Sequence, residues 1–480
     1  MEEPVPMTAV LRTLICVLLL TLWGCATQVP PTPESASDND SVVTNQVGLK
    51  PLNRQSMQST RIAHVDIPAD LFERIRRGFA MPDLQNELVS DRERWYADRP
   101  DYIERMAQRS SKYLYHIVEE IEQRGMPTEL ALLPFVESAF NPQAVSSAKA
   151  SGMWQFMPAT GRDFDLKQNL FRDDRRDIQA STRAALDYLQ RLHDQFGDWH
   201  LALAAYNWGE GNVAKAIARN QKQGLDAGYV DLAMPMETRF YVPKLQAIKN
   251  IVAKPQQFQI KLPVVPNHPY FQAVPLPRDM DVSVAAKLAE ISVEDFRALN
   301  PSAHRPVLLA AGHPVILLPW DNAETFQRNY EAFGGGRLAS WTAWVAPRTM
   351  KAAEAARQVG MTEAEFRQVN NIPPHMMVKV GAVVLVPRTG PLDRDVDVEV
   401  ADRGQLSLAA EPPPPKVVTK SSKKATGKAK GTGKAQAEGK AQAAAQNPGQ
   451  QAASSKSKSA QRSKAPTSTV TAQAGKASPH

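Results

Sequence analysis

The stretch ALLPFVESAFNP, residues 131–142, is apolar on most sides and carries one bare acid, Glu137, followed at once by Ser138. A helix that is apolar all round is normally buried. An ionised carboxylate without a partner is costly to bury and tends to take up a proton instead. From this segment alone two readings stay open: a salt-bridged structural glutamate, or a carboxyl group kept neutral for use. The surrounding chain is helical in pattern. LFERIRRGF and YLYHIVEEIEQRG place apolar residues at three- and four-residue spacing, and TRAALDYLQRLHDQFG, WHLALAAYNW and ETRFYVPKLQAIKNIV continue as short helices between glycine- and proline-marked turns. No convincing strand alternation interrupts residues 128–250, so residues 61–255 are expected to form a compact all-α domain with its core at about 115–250.

After Pro255 the character changes to short β-branched runs with prolines, such as IKLPVVP and PVILLP. An internal repeat appears. ISVEDFRALN at 291–300 matches MTEAEFRQVN at 361–370, so that Phe296, Arg297 and Asn300 recur as Phe366, Arg367 and Asn370 at an offset of 70. Each copy follows an extended segment and an alanine-rich helix and precedes a strand-like ending, which predicts strand–helix–helix–strand twice, over 268–320 and 341–388. From 389 to 480 no fold is expected, because low-complexity Pro, Lys, Ala, Gln, Ser and Gly sequence cannot bury enough surface to offset chain entropy.

The bulk numbers bound the function. At 480 residues the chain is expected to hold roughly three units. Residues 416–480 contain twelve Lys and one Arg against Glu438 alone, a contribution of +12 to a net charge of +7, so the rest of the chain sums to −5. A basic tail on an acidic body argues against a nucleic-acid-binding core. The tail reads either as a contact for anionic membrane or wall polymers or as a solvated extension. Cys16 and Cys25 are the only cysteines, which excludes a catalytic thiol or cysteine metal site in the body, and the nine histidines show no metal-ligand spacing. No metal and no cofactor are expected.

Residues 11–27, LRTLICVLLLTLWGCAT, have the form of a signal-peptide apolar region behind Arg12 and are short for a membrane span. This gives a signal peptide over 1–24 and a flexible tether over 25–60. The ending Leu22-Trp23-Gly24-Cys25 resembles the lipobox of bacterial lipoproteins. That resemblance implies acylation of Cys25 and a membrane anchor, with Ala26 in place of an inner-membrane retention aspartate pointing to the outer membrane. A plain cleaved signal or an uncleaved anchor is the alternative; all of them place the chain in the cell envelope, on its periplasmic side.

Three islands in the helical region put polar groups beside aromatics at glycine-marked bends: Glu137–Pro142, ASGMWQFMPATG at 150–161, and AYNWGEGNV at 205–213. Singly, each has a structural explanation, with Trp154 and Phe156 as core, Gly152 and Gly161 as turn residues, Tyr206 as a buried phenol and Asn207 as a cap. Together they resemble the motifs of the lytic murein transglycosylases related to goose-type lysozyme, namely Glu-Ser, GxxQFxPxTG and Ala-Tyr-Asn-x-Gly. A fourth element of that family, ETxxYV, is matched by Glu237–Val242. GMWQFMPATG looks most like the membrane-bound lytic murein transglycosylase D branch, and the repeats resemble the LysM modules that this branch carries. In the repeats the usual Gly-Asp-Thr is replaced by Pro277-Arg278-Asp279 and Pro347-Arg348-Thr349.

The resemblance implies a lysozyme-like helical domain that cleaves the β-1,4 bond between N-acetylmuramic acid and N-acetylglucosamine in peptidoglycan, leaving 1,6-anhydromuramic ends. Glu137 is implied to protonate the glycosidic oxygen and then to take the proton of the muramoyl 6-hydroxyl. Ser138 would orient the helix end or the carboxyl. Ser146 and Gln155 would hydrogen-bond the sugar N-acetyl group or the developing positive centre. Met157 and Trp154 would line the cleft. Tyr206 would hydrogen-bond Glu137 or stabilise charge near it, Asn207 would hold its turn, and Tyr241 would be a further cleft residue. The LysM-like repeats are implied to bind N-acetylglucosamine-containing glycan. Glycosidic cleavage usually takes two carboxyl groups, yet the next acid after Glu137 is Asp163, beyond the second island. A second carboxylate would have to arrive from elsewhere in the fold. The alternatives are a hydrolytic muramidase and a non-catalytic peptidoglycan-binding lipoprotein.

Overall fold

The computed structural model describes residues 67–389 and 394–412. The signal peptide, Cys25, the tether and the Lys-rich tail beyond 412 lie outside the described residues.

The helical part opens with α1 (Leu71–Arg77), α2 (Glu87–Ala97), α3 (Pro100–Ser110) and α4 (Leu114–Gln123). Their starts are written in the sequence: Asp70 and Asn86 accept from backbone N–H groups of the first turns of α1 and α2, and Pro100 opens α3. A 3₁₀ turn at Thr128–Leu132 leads into the short α5 (Leu133–Ser138), which carries Glu137. After α6 (Pro158–Asp163) come α7 (Ile178–Phe196), capped by Asp177 and stopped by the left-handed Gly197, then α8 (Trp199–Trp208) and α9 (Glu210–Lys222). The short α10 (Met236–Arg239) precedes α11 (Tyr241–Ala253), which is buried along nearly its whole length and packs against α2, α5 and α8.

The buried ion pair that the first reading of Glu137 required exists, but at another glutamate. Glu129, 1% exposed, accepts from the Ala80 and Met81 N–H groups at 3.0 and 2.8 Å and meets Lys249 Nζ of α11 at 3.0 Å. Breaking one side of such a pair would strand a buried charge. Glu129 therefore holds the fold, whereas Glu137 makes no ion pair among the described residues.

The repeat follows. The first copy consists of β1 (Phe271–Pro275), β2 (Met280–Asp281), α12 (Val282–Leu288), α13 (Val293–Leu299), β3 (Val307–Leu308) and β4 (Val315–Pro319). Helix α14 (Trp320–Glu331), which the repeat pattern did not announce, packs back on it through Ala323 and Phe326. The same succession returns as β5 (Trp341–Val345), β6 (Met350–Lys351), α15 (Ala352–Gln358), α16 (Glu363–Asn370), β7 (Met376–Val378) and β8 (Val383–Pro387). In both copies the outer strands pair antiparallel, Phe271 opposite Pro319 and Trp341 opposite Pro387.

The repeated residues have a shared physical job. Phe296 and Phe366 are fully buried centres of their small cores. Asn300 donates to Leu317 O at 2.8 Å and accepts from Leu317 N at 2.8 Å; Asn370 does the same with Leu385 at 2.9 and 2.6 Å. Each asparagine thus clamps a helix end to the last strand with a two-way bond that satisfies buried backbone groups.

The expectation that order ends at Thr389 is corrected for residues 394–412. They form α17 (Val398–Arg403) and β9 (Leu408–Ala410), the latter pairing antiparallel with β7. Ala401 is buried, and Val396, Val400, Leu406 and Leu408 pack half-buried against the neighbouring cores. Backbone bonds and charge add to this. Leu170 N donates to Gly404 O at 2.9 Å, Val383 N to Gln405 O at 2.9 Å, and Lys167 meets Asp402 at 2.6 Å. The departure from the Gly-Asp-Thr turn in the first repeat serves the same closure. Asp279, 1% exposed, accepts from Val396 N at 2.9 Å and pairs with the equally buried Arg388 at 2.8 Å.

Candidate functional site

Glu137 lies in the last turn of α5, a helix too short to bury its own end. What fixes that end is unusual backbone. Ala139 and Phe140 both adopt left-handed φ values, 51° and 56°, and Phe140 N donates to Pro134 O at 3.0 Å. Two consecutive non-glycine residues there store strain of a kind that persists only where the surroundings over-determine it. Here the determinant is Phe140 itself, fully buried and packed edge-on against Phe135 at 4.6 Å.

The second island is a tight loop braced from behind. Ser151 and Phe156 exchange backbone bonds at 3.0 and 3.1 Å, and Gly152 N donates to Ala144 O at 3.0 Å. Hydroxyl groups from the other islands tie down the carbonyls between them. Ser138 Oγ donates to Met153 O at 2.9 Å, and Tyr206 Oη donates to Trp154 O at 2.8 Å. Arg175, held by Asp173 at 2.7 Å, donates from its far side to Lys149 O and Phe156 O at 2.7 and 3.1 Å. The three islands are therefore one hydrogen-bonded unit around the end of α5.

The structure redistributes the expected roles. Tyr241, at the start of α11, donates its hydroxyl to Glu137 Oε1, whereas Tyr206 spends its hydroxyl on Trp154 O. The bond to Glu137 expected of Tyr206 thus belongs to Tyr241; Tyr206 contributes as a loop brace whose phenol is near the carboxyl. Trp154, expected to line the cleft, is fully buried, its Nε1 donating to Thr182 Oγ1 at 3.1 Å, so it is core. Met157 is 44% exposed and free to meet a ligand. Ser146 accepts from Ala150 N at 3.0 Å and closes the turn before the loop. Gln155, at φ 49°, donates to Gly152 O at 2.7 Å. Asn207 accepts from Thr238 Oγ1 at 2.9 Å, which ties α8 to the segment bearing Tyr241. Arg175 and Asp173 lie in DDRRD, which in sequence reads as a solvated charge run.

Burial raises the Asp174 carboxyl to about 6 and, further, that of Glu137. Burial pushes its carboxyl up to about 7, against the opposing pull of the Tyr241 hydroxyl and the Lys244 charge, with Glu237 adding a smaller upward push. Burial beside Glu137 also raises the Tyr206 and Tyr241 phenols well above their ordinary value, so both remain donors. Glu237 is the second acid that the sequence did not place. It comes from α10, is exposed, and acts on Glu137 through charge alone. The arrangement offers a neutral carboxyl with a proton to give near neutral pH, oriented by a phenol.

Comparison with known proteins fits this geometry. Residues 115–227 match the family described as Transglycosylase SLT domain, which takes in the three islands, and residues 270–334 match Lytic transglycosylase MltD, LysM-like domain, including α14. The chain is 36% identical over 272 residues to membrane-bound lytic murein transglycosylase D of Escherichia coli (strain K12), covering 56% of this chain and 60% of that relative. It is 38% identical over 169 residues to a putative tributyltin chloride resistance protein of Alteromonas sp. (strain M-1), covering 35% of this chain and 80% of that one. Among solved structures, the 70 kDa soluble lytic transglycosylase of Escherichia coli matches at 26% identity and a TM-score of 0.25, over 28% of this chain and 23% of that one. The chain spans 60% of the length of the curated transglycosylase D it matches. The chain thus carries a Transglycosylase SLT domain followed by a domain of the MltD LysM-like family.

Proposed function

We propose that the chain is a lytic transglycosylase that cleaves the β-1,4 bond between N-acetylmuramic acid and N-acetylglucosamine in peptidoglycan and leaves 1,6-anhydromuramic ends. The observation that carries this is a lone carboxyl, protonated near neutral pH, with no second carboxyl group in hydrogen-bond contact among the described residues. Glu137 gives its proton to the leaving glycosidic oxygen as the bond to the anomeric carbon breaks. The resulting carboxylate, steadied by the Tyr241 hydroxyl, takes the proton of the muramoyl 6-hydroxyl as that oxygen bonds to the anomeric carbon. Glu137 ends as it began, and no water is consumed. Gln155 and Met157 bear on the sugars from the braced loop, with Ser138, Ser146 and Asn207 holding their supports. Mass spectrometry of digested sacculi tests the reading, since the anhydro product lacks one water; only reducing muramic ends would overturn it.

The hydrolytic reading has one observation of its own, the charge of Glu237 felt at Glu137. A muramidase would use such a second carboxylate to activate water. Glu237→Gln is expected to keep the anhydro product and a rate within about fivefold of wild type, because an exposed charge without direct contact contributes little. Loss of activity to the level of a Glu137 variant would hand the mechanism to the pair.

The same proposal places the protein in the cell envelope as an outer-membrane lipoprotein acylated at Cys25, with a basic tail left to solvent or to anionic polymers. The lipobox-like Leu22–Cys25 and the membrane-bound relatives support it. Labelled fatty acid is expected to enter the wild-type chain and not Cys25→Ala; undiminished labelling of that variant would remove the anchor. The repeats over 268–320 and 341–388 are proposed as two LysM-like modules that hold glycan and raise its concentration at Glu137. Their shared Phe and Asn clamps support a common fold, and the exposed Thr349 turn of the second copy leaves its surface open.

A further inference from the structure

Residues 170–177 run between the first repeat and the loop that carries Gln155 and Met157, and they are bonded to both. On the repeat side the contact is the turn 302–305. Asp173 N donates to Ser302 O at 3.1 Å, and Arg172 and Ala303 form an antiparallel bridge. His304 Nε2 lies 2.9 Å and Arg305 Nε 2.8 Å from Leu170 O. Asp177 caps α7 with Oδ1, and its Oδ2 accepts from Ser302 Oγ at 3.2 Å. Ser302 and Ala303 are buried, and Leu170 and Phe171 share a buried cluster with Val307 and Leu309 of the repeat. A contact between domains that is both apolar and hydrogen-bonded is a fixed joint, whereas modules that merely touch move against each other.

On the loop side the brace is Arg175. Asp173 grips its Nε and Nη2 at 2.9 and 2.7 Å, and Nη1 donates to Lys149 O and Phe156 O at 2.7 and 3.1 Å. A guanidinium is a rigid fork, so the carboxylate that grips two of its nitrogens sets the direction of the third. Arg176 adds a bond from Nε to Ser151 Oγ at 2.9 Å. Lys149 and Phe156 flank the turn in which Ser151 and Phe156 exchange backbone bonds and Gln155 holds its left-handed φ of 49°. A left-handed glutamine in a tight turn persists only where its surroundings hold it. The surroundings here are Arg175, hence Asp173, hence the turn of the first repeat that receives Asp173 N.

We propose that the first repeat is a positioning element of the active site: its turn 302–305 fixes residues 170–177, and through Arg175 these fix the loop that offers Gln155 and Met157 to substrate. The repeat then contributes to cleavage of a glycan fragment whether or not it touches that fragment. The proposal rests on the reading of Glu137 and its loop given above, and its test separates the two. The full chain carrying Ser302→Ala and His304→Ala is compared with wild type, with Arg175→Ala and with the triple variant. Arg305 stays in place because it also donates to Val369 O of the second repeat. On a short soluble glycan fragment the double variant is expected to lose about fivefold in kcat with KM within about twofold, the size of effect that lost hydrogen bonds produce. The triple variant is expected to cut no worse than Arg175→Ala, because all three residues act through one loop. A repeat that only holds glycan would raise KM on whole sacculi and leave kcat on the fragment at its wild-type value, and that result overturns the proposal, as do additive losses in the triple variant.

Amide hydrogen exchange gives a readout that needs no cutting. The Ser151, Gly152 and Phe156 N–H groups are all bonded to backbone carbonyls at the loop. In Ser302→Ala with His304→Ala they are expected to exchange about tenfold faster, while the amides of the buried α11 keep their wild-type rate. Faster exchange throughout the helical domain, or none at the loop, overturns the proposal. If the double variant fails to fold, Ser302→Ala alone, which removes one bond to Asp177, is read in the same way for a smaller effect of the same sign. Failure of the wild-type chain to cut glycan overturns the enzymatic reading alone, and the exchange measurement still decides the joint.

Discussion

Glu137→Gln is expected to abolish cleavage, by about a thousandfold or more, because it removes the one group that supplies the proton and later accepts one. The amide fills the same space and can accept from the Tyr241 hydroxyl, so the loop braces made by Ser138 and Tyr206 stay in place. Sacculus binding should therefore survive while release of anhydro products ceases. Activity equal to wild type would remove Glu137 from the chemistry and favour a non-catalytic binding protein.

The same change makes an opposite prediction for stability. The Glu137 carboxyl is raised from an ordinary 4.5 to about 7 by burial. Below pH 4.5 the side chain is neutral in both folded and unfolded chains, and glutamate and glutamine are nearly equivalent. Between 4.5 and 7 the folded protein holds a proton that the unfolded chain releases, so wild-type stability falls as pH rises. Above 7 the cost of ionising this half-buried acid is present, of the order of 3 kcal/mol as an upper bound that solvent contact reduces. Glu137→Gln escapes that cost. It should be more stable than wild type at pH 8 and indistinguishable from it at pH 4, measured as the difference in unfolding free energy. A difference that does not change with pH would mean that Glu137 is not held neutral by its surroundings. The rate of cleavage should fall along the same limb as pH passes 7, since only the protonated acid can begin the reaction.

How much of this was legible follows from where each feature stores its information. The helical domain and the repeat were readable because both are periodic: apolar residues every three or four positions, and Phe296 and Asn300 returning as Phe366 and Asn370. Glu137 was readable because a carboxyl in an apolar run violates that period. Its partner was not. Tyr206 and Tyr241 are both tyrosines beside family motifs, and only the packing of α11 against α5 decides that Tyr241 reaches the acid. Trp154 misled for a related reason: an aromatic at a glycine bend resembles a cleft wall until Thr182, from a distant helix, supplies its buried acceptor. Residues 394–412 were not legible because their apolar residues, Val396, Val400, Ala401, Leu406 and Leu408, are few and scattered among charged ones, and the rest of the hold comes from backbone bonds and pairs such as Lys167–Asp402, which leave no periodic trace.

Gly152→Ala is expected to destabilise the helical domain by about 3 kcal/mol or more, and to cost activity with it. A Cβ at this position would fall 1.8 Å from Arg175 O and 2.8 Å from Arg175 C, and φ is already +85°. The obstacle is backbone, so no side-chain rotation relieves it. One of two strands of chain must move, and neither is free. On one side Gly152 N is bonded to Ala144 O, and Gly152 O receives Gln155 Nε2 at 2.7 Å. On the other side Asp173 N donates to Ser302 O of the first repeat at 3.1 Å, and the Arg175 side chain closes over Lys149 O and Phe156 O. Any shift is therefore passed to the loop that presents Gln155 and Met157 and, through Met153 O, to Ser138 beside the acid. Gly211 is the matched control. It lies within α9 with no atom within 4 Å of an added Cβ, so Gly211→Ala should be neutral or stabilising by up to about 1 kcal/mol. Unfolding of the two variants side by side decides the point: if Gly152→Ala unfolds within about 1 kcal/mol of Gly211→Ala, the close approach of the loop to Arg175 is not what holds the site together.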